Sequence, residues 1–112
     1  FPSHDPMWEA GRQNTGYYKM TLWAGPWFDL HLLKYPLGSF IHLHRDEVKT
    51  GQHYRLNVEL VKSSRGGKFI CGDVIYRKCG VCLFRPDEST HGVTRVFGNT
   101  RYVLSLGWVK NT

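Results

Sequence analysis

"HYRLNVELV", residues 53–61, alternates up to Leu60: Tyr54, Leu56, Val58 and Leu60 fall on one side of an extended chain, and His53, Arg55, Asn57 and Glu59 on the other. A period of two held over the eight residues 53–60 describes a strand and excludes an amphipathic helix. "RYVLSLGW", residues 101–108, repeats the pattern, with Tyr102, Leu104, Leu106 and Trp108 opposite Arg101, Val103, Ser105 and Gly107. Two arrangements produce such strands. One buries the apolar face and wets the polar one, the usual case for an antiparallel sheet; the other turns the polar face into a barrel. "FIHLHRDEV", residues 40–48, sharpens the choice, because His42, His44 and Asp46 recur at every second position where a core face would carry aliphatic residues.

Working outward, the chain after residue 16 uses the same vocabulary. "YYKMTLWA", "FDLHLLKY", "SFIHLH", "GKFICG", "VIYRK", "GVCLFR" and "HGVTRVF" are short, rich in β-branched and aromatic residues, and punctuated by Gly, Pro, Asp or Ser. No segment sustains a helical apolar period, and only the first fifteen residues, with "DPMWEAGRQ", offer room for a short helix. The expectation is an all-β sandwich, barrel or jelly roll. It is a single domain over 1–112, with a lead-in at 1–16, a β core at 17–112 and at most one short N-terminal helix.

Composition narrows the function classes. With 112 residues and 41% hydrophobic content the chain supports one core. The net charge of +6 is spread along the chain without a basic block, so it gives a general attraction to anions, and nucleic acid is an open partner. No apolar run has the length of a membrane span and no signal-peptide pattern opens the chain. The start at Phe1 reads as trimmed or processed. Cys71, Cys79 and Cys82 cannot all pair within one chain, which favours a reducing, cytoplasmic location. Cys79 and Cys82 have C-x-x-C spacing but no second pair to close a zinc site, and "CGVCLF" reads as a strand, so buried free thiols are expected.

His44-Arg45-Asp46 places an imidazole and a carboxylate two positions apart, and "RPDESTHGV" supplies His91 after a turn built on Pro86 and Asp87. Two histidines and a carboxylate on one face of an octahedron leave three positions open, as in non-haem iron(II) oxygenases, whereas a structural zinc site would need a fourth ligand. Arg101 follows His91 by ten residues.

With that order of motifs the sequence resembles the 2-oxoglutarate- and iron(II)-dependent oxygenase family, in its prolyl and aspartyl hydroxylase-like branches. The resemblance runs from Phe28 to Trp108 through "LLKYPLGSFIHLHRDE", "HYRLNVEL", "GGKF" and "CLFRPDESTHGVTRVFGNTRYVLSLGW". It implies a double-stranded β-helix, a distorted jelly roll with the metal at its open mouth. His44, Asp46 and His91 match the iron ligands. Arg101 matches the cation that pairs with the far carboxylate of 2-oxoglutarate, a role suited to a rigid guanidinium fork, and Ser105 a hydroxyl that assists it. Tyr35 and Asn57 match positions near the cosubstrate, and Arg55 is a candidate substrate contact. The departure is at the N-terminus, where only some fifteen residues precede the first expected strand and leave little to buttress the barrel; an oligomer or partner chain could complete the pocket.

The activity implied is a dioxygenase reaction that uses iron(II), 2-oxoglutarate and dioxygen, with ascorbate as a stimulant. Hydroxylation of a C–H bond, on a peptide or amino-acid side chain first and on nucleic acid or a small metabolite otherwise, would release succinate and carbon dioxide. Two rivals stand beside it: a non-catalytic jelly-roll binding module, and a cupin-like metalloprotein using His42, His44 and His91 without 2-oxoglutarate.

Overall fold

The computed structural model describes residues 8–11, 13–46 and 51–110. Ten strands follow one another: β1 (Trp8–Ala10), β2 (Tyr18–Ala24), β3 (Phe28–Tyr35), β4 (Ile41–His44), β5 (Gln52–Val61), β6 (Phe69–Cys71), β7 (Val74–Lys78), β8 (Val81–Phe84), β9 (His91–Val93) and β10 (Arg101–Lys110). They make an antiparallel sheet in the order β1-β2-β3-β10-β5-β8-β7 and a smaller one in the order β4-β9-β6, a jelly-roll arrangement. Nine of the strands lie in the nine segments read as strands. The tenth, β1, falls in the stretch considered for a helix, where Trp8, Glu9 and Ala10 pair with Met20, Lys19 and Tyr18; the rest of that stretch up to residue 7 lies outside the described residues. No described residue is helical, and no helix is long and apolar enough to cross a membrane.

Between β7 and β8 the chain reverses in two residues, Cys79 and Gly80, with φ of 49° and 79°. Two positive φ values in a two-residue loop make the turn whose twist matches that of its strands. The expectation of a strand through "CGVCLF" with buried thiols is therefore corrected: Cys79 is an exposed turn residue, Cys71 is half-buried, and Cys82 alone is buried.

The strand faces settle the choice left by the alternating segments. Along β10 the buried positions are Arg101, Val103, Ser105 and Gly107, while Tyr102, Leu104, Leu106 and Trp108 are only half-buried. Directly paired residues share a face, so the register carries this polarity across the sheet. Tyr35, Leu33, His31 and Asp29 of β3 flank the buried series, and Glu59, Asn57 and Arg55 of β5 flank its other side. The interior is thus the polar-lined one. The aliphatic series, with Leu30, Leu56 and Leu106 abreast and Leu32, Val58 and Leu104 beside them, lies on the opposite face, half-buried except for Leu32, which is buried beside the buried Met20 of β2. The apolar part of the interior is a cluster of Tyr17, Tyr35, Val93, Val96 and Val103, sealed by Leu33, Ile41 and Phe69. Tyr17 and Tyr35 stack in it at 5.4 Å.

Candidate metal centre

His44 and His91 stand directly opposite each other across the β4–β9 pair, but not by simple alternation. Ile41 pairs with Val93, and a register shift before His44 inserts an extra residue that brings His44 onto His91. The expectation that His42, His44 and Asp46 share one face is corrected by this bulge. Along β4 the exposure runs half-buried, exposed, exposed, half-buried, so His42 points away and its ring meets the edge of Phe40 at 4.8 Å. Gly92 permits the close approach of the two strands, since a Cβ there would lie 2.7 Å from the Ile41 carbonyl oxygen and 3.1 Å from the Leu43 nitrogen.

The ring centroids of His44 and His91 are 4.4 Å apart, and the Asp46 carboxylate lies 3.2 Å from His44 Nε2. Asp46 sits past the end of β4, where its backbone N–H donates to the Pro86 carbonyl at 2.8 Å. One ligand atom from each of the three falls within 4.8 Å of the others, and among the described residues no fourth His, Cys, Asp or Glu joins the group. Each imidazole has its Nδ1 on a backbone carbonyl, His44 on that of His42 and His91 on that of Ser89, both at 2.8 Å. Gln13 Nε2 also lies 3.2 Å from His44 Nδ1. With Nδ1 engaged in both rings, Nε2 is the nitrogen left for a metal. Burial, the largest influence on His91, pushes its imidazole below the ordinary histidine range and keeps it neutral, as a ligand must be. Phe84 and Phe69 wall its ring at 5.0 and 6.2 Å. Two anchored imidazoles and a carboxylate fit a transition-metal ion with positions left for other ligands.

The triad borders a cavity of about 200 Å³, below the roughly 300–1,000 Å³ of sites that enclose drug-sized ligands; it suits a small organic acid. A polar chain runs along its wall through four strands. The Thr21 hydroxyl meets His31 Nδ1 at 3.1 Å, and His31 Nε2 lies 3.3 Å from Asp29 Oδ1. Arg55 donates to Asp29 Oδ1 and to Ser105 Oγ, both at 2.8 Å, and Ser105 donates to Asn57 Oδ1 at 2.6 Å. Gly107 makes room for the guanidinium, since a Cβ there would lie 2.3 Å from Arg55 Nη2. Burial raises the Asp29 carboxyl, but the His31 hydrogen bond and the Arg55 charge outweigh it and hold it at about 2. Arg55, Asn57, Ser105 and Tyr35 therefore all line the cavity that the triad opens into.

Arg101 is placed differently. Its side chain, 6% exposed, donates from Nε to Glu59 Oε2 at 2.6 Å, and its guanidinium lies 5.1 Å from the Tyr35 ring centre. Arg101 and Glu59 line a second cavity of about 230 Å³, which shares Asn57 and Phe69 with the first. Burial, the largest influence, drives the Tyr35 phenol above its ordinary range, so it stays a neutral hydroxyl.

Sequence reasoning passed over four contributors. Asp29 and Glu59 sit on strand faces that an antiparallel sheet normally wets, and no spacing pattern marks His31. Gln13 was hidden in the lead-in: its amide accepts from the His42 N–H at 2.6 Å and donates to the His42 carbonyl at 3.1 Å, bracketing the peptide that anchors His44. The mirror alternation of β5 and β10 could have found the acidic pair, had the polar faces been matched across the sheet.

No protein-family model and no curated protein matches the chain. Among solved structures it is similar to a prolyl-4-hydroxylase of Pseudomonas putida, with TM-score 0.66, 16% identity, and coverage of 95% of this chain and 78% of that one. It is also similar to the cupin domain of Schizosaccharomyces pombe Cnp3, with TM-score 0.59, 13% identity, and coverage of 84% and 65%. A third likeness is to the viral collagen prolyl hydroxylase of Paramecium Bursaria Chlorella virus-1 in complex with 2OG, with TM-score 0.55, 17% identity, and coverage of 76% and 59%. The chain thus spans about two thirds or less of the second and third of these. At such identities the likeness establishes the cupin or jelly-roll fold, which serves enzymes and binding modules alike.

Proposed function

We propose that this chain is an iron(II)- and 2-oxoglutarate-dependent dioxygenase that hydroxylates a C–H bond of a peptide or amino-acid side chain. The observation that carries the reading is the convergence of His44, Asp46 and His91, with both Nδ1 atoms anchored, on the mouth of a small polar cavity. The three side chains would hold the metal, and iron with 2-oxoglutarate and dioxygen supplies oxygenation of the substrate with release of succinate and carbon dioxide. Tyr35, Asn57 and Ser105 offer hydroxyl and amide groups to the cosubstrate. Arg101, which the family resemblance pairs with its far carboxylate, holds Glu59 through Nε and would meet that carboxylate with its remaining N–H groups.

A peptide substrate is favoured by the surface beside the triad. A shallow cleft of about 90 Å³ shares Asp46 and Arg55 with the main cavity and is walled by Trp27, Tyr54, Pro86 and Trp108. Aromatic walls with a few polar groups suit an extended chain better than a phosphate backbone. The prolyl hydroxylases among the structural neighbours point the same way. Three free cysteines fit a reducing compartment.

The test is succinate formation from 2-oxoglutarate with iron(II), ascorbate and oxygen, alone and with pools of peptides, nucleic acids and amino acids. The wild-type protein should turn over and peptides should accelerate it, while His44→Ala, Asp46→Ala and His91→Ala should each abolish turnover and retain the β fold. Bound iron without succinate under every condition would replace the enzyme with a binding module. Oxygen consumption independent of 2-oxoglutarate would favour a cupin-type metalloenzyme.

A further inference from the structure

The charge of +6 that is spread along the sequence is sorted by the fold. Asp29, Asp46, Asp73, Asp87 and Glu88 gather at the mouth of the metal centre. Asp29 stands opposite Gly107 near the end of β10, the Asp46 N–H meets the Pro86 carbonyl, and Ser89, beside Asp87 and Glu88, donates to the Asp73 carbonyl while its own carbonyl anchors His91. The far end of the barrel is basic. There Lys62, Arg65 and Lys68 lie between β5 and β6, Arg77 and Lys78 close β7, and Arg95 follows β9, all of them exposed. Strand direction sets these cations away from the triad, because β9 leaves His91 before reaching Arg95 and β5 passes Arg55 before Lys62. Glu59, the carboxylate that faces these segments, is held by Arg101 at 2.6 Å, and among the described residues no carboxylate lies within ion-pair distance of the exposed cations.

The segments form one surface. The Phe97 N–H donates to the Arg65 carbonyl at 2.9 Å, the Gly67 N–H to the Arg95 carbonyl at 3.1 Å and the Thr94 N–H to the Lys68 carbonyl at 2.9 Å, while the Glu59 N–H reaches the β7–β8 turn at Gly80 at 2.8 Å. Gly66 and Gly67, with φ of 68° and 62°, let the loop lie this close, since a Cβ on Gly66 would collide with the Arg95 carbonyl. Lys62, Lys68 and Arg77 border the second cavity, so the charges rim a concavity. Phe97 is hydrogen-bonded to Arg65 and two residues past Arg95, yet it is 62% exposed.

Cations without counter-charges attract phosphates, and an exposed ring among them offers an unpaired base a face to stack on. A rimmed concavity suits a strand better than a bilayer, which needs a flat or protruding apolar face. We propose that this basic end of the barrel binds single-stranded nucleic acid, RNA or DNA, with phosphates on Lys62, Arg65, Lys68 and Arg95 and a base on Phe97. The surface is separate from the metal centre and serves attachment, so it goes beyond the reaction proposed above and does not depend on it.

Fluorescence anisotropy on the whole chain tests this with labelled oligouridine and oligothymidine of about 20 nucleotides and with an RNA duplex of the same length. The single strands should bind more tightly than the duplex, with log K falling against log salt by roughly 0.7 per phosphate contacted. Arg65→Gln combined with Lys68→Gln should weaken binding about tenfold or more and lower that slope by about 1.4. Phe97→Ala should weaken the single strands about tenfold, the scale of one stacked base, and leave the slope unchanged. These side chains are exposed, so the melting curves should not move. Lys110→Gln, at the mouth end, is the control and should change neither affinity nor slope. Binding of one oligonucleotide and not the other supports the surface and names its source. No binding at about 50 mM salt, binding that either variant leaves unchanged, or preference for the duplex overturns the proposal. Capture by vesicles of phosphatidylcholine and phosphatidylserine with no oligonucleotide bound overturns it too, and makes this end a membrane-docking face.

Discussion

Replacing Arg55 by Met tests whether the polar interior is a set of matched charges or only a wet channel. Met keeps the unbranched stem but removes the two 2.8 Å hydrogen bonds to Asp29 and Ser105. Ser105 retains Asn57, and Asp29 retains His31, so the loss is chiefly the charge opposite Asp29. The side chains of Arg55 and Asp29 are 23% and 33% exposed, between the exposed pairs that contribute about 0–1 kcal/mol and the buried pairs whose breaking costs about 3–5 kcal/mol. A destabilisation of about 1–2 kcal/mol is expected, lowering Tm by roughly 5–10 °C for a chain near 100 residues. The sign with pH follows from Asp29. Its carboxyl is held at about 2, below the roughly 3.9 of an unfolded aspartate, so its stabilisation is complete above pH 4 and fades as pH falls through 2. Urea unfolding of wild type and variant at pH 7 and pH 2 measures this directly. The gap between the two proteins should narrow at pH 2. A gap below about 0.3 kcal/mol at pH 7, or one of equal size at both pH values, would refute the charge-pair account and leave only stem packing.

Gly92→Ala should weaken metal binding without touching a ligand, because its Cβ would press on the β4 backbone at Ile41 and Leu43 and push His44 away from His91; equilibrium dialysis with zinc or manganese reads this, and undiminished affinity would mean that β4 gives way freely. Gln13→Ala should lower metal affinity by about tenfold, the scale found for groups that hold a metal ligand in place, while the melting curve of the metal-free protein moves little. Arg101→Met should destabilise by about 3–5 kcal/mol by leaving Glu59 without its cation in a largely buried site, and Glu59→Gln combined with Arg101→Gln should recover most of that in urea melts. A chelator should lower the Tm of the metal-loaded wild type but not that of His91→Ala, since only a ligand bound by the folded state stabilises it.

Local pattern and tertiary placement divide this protein cleanly. Strand positions were legible because β-branched and aromatic alternation reports burial on a pleated surface, and "HYRLNVEL" and "RYVLSLGW" carry it without interruption. The ligand types at His44, Asp46 and His91 were legible from their chemistry and order. Alternation, however, does not say which face is inside. The two faces of β10 are equivalent in sequence terms, and only closure against the β4-β9-β6 sheet turned Arg101 and Ser105 inward while Leu104 and Leu106 faced out. Parity also failed at His42, because one inserted residue in β4 shifts every later side chain to the other face. Charge matching was likewise invisible along the chain: Asp29 and Arg55 are 26 residues apart, Glu59 and Arg101 are 42. Those separations close only when β3 and β5 come to flank β10, since electrostatic partners are set by distance in space and a strand sequence records only which side each residue takes.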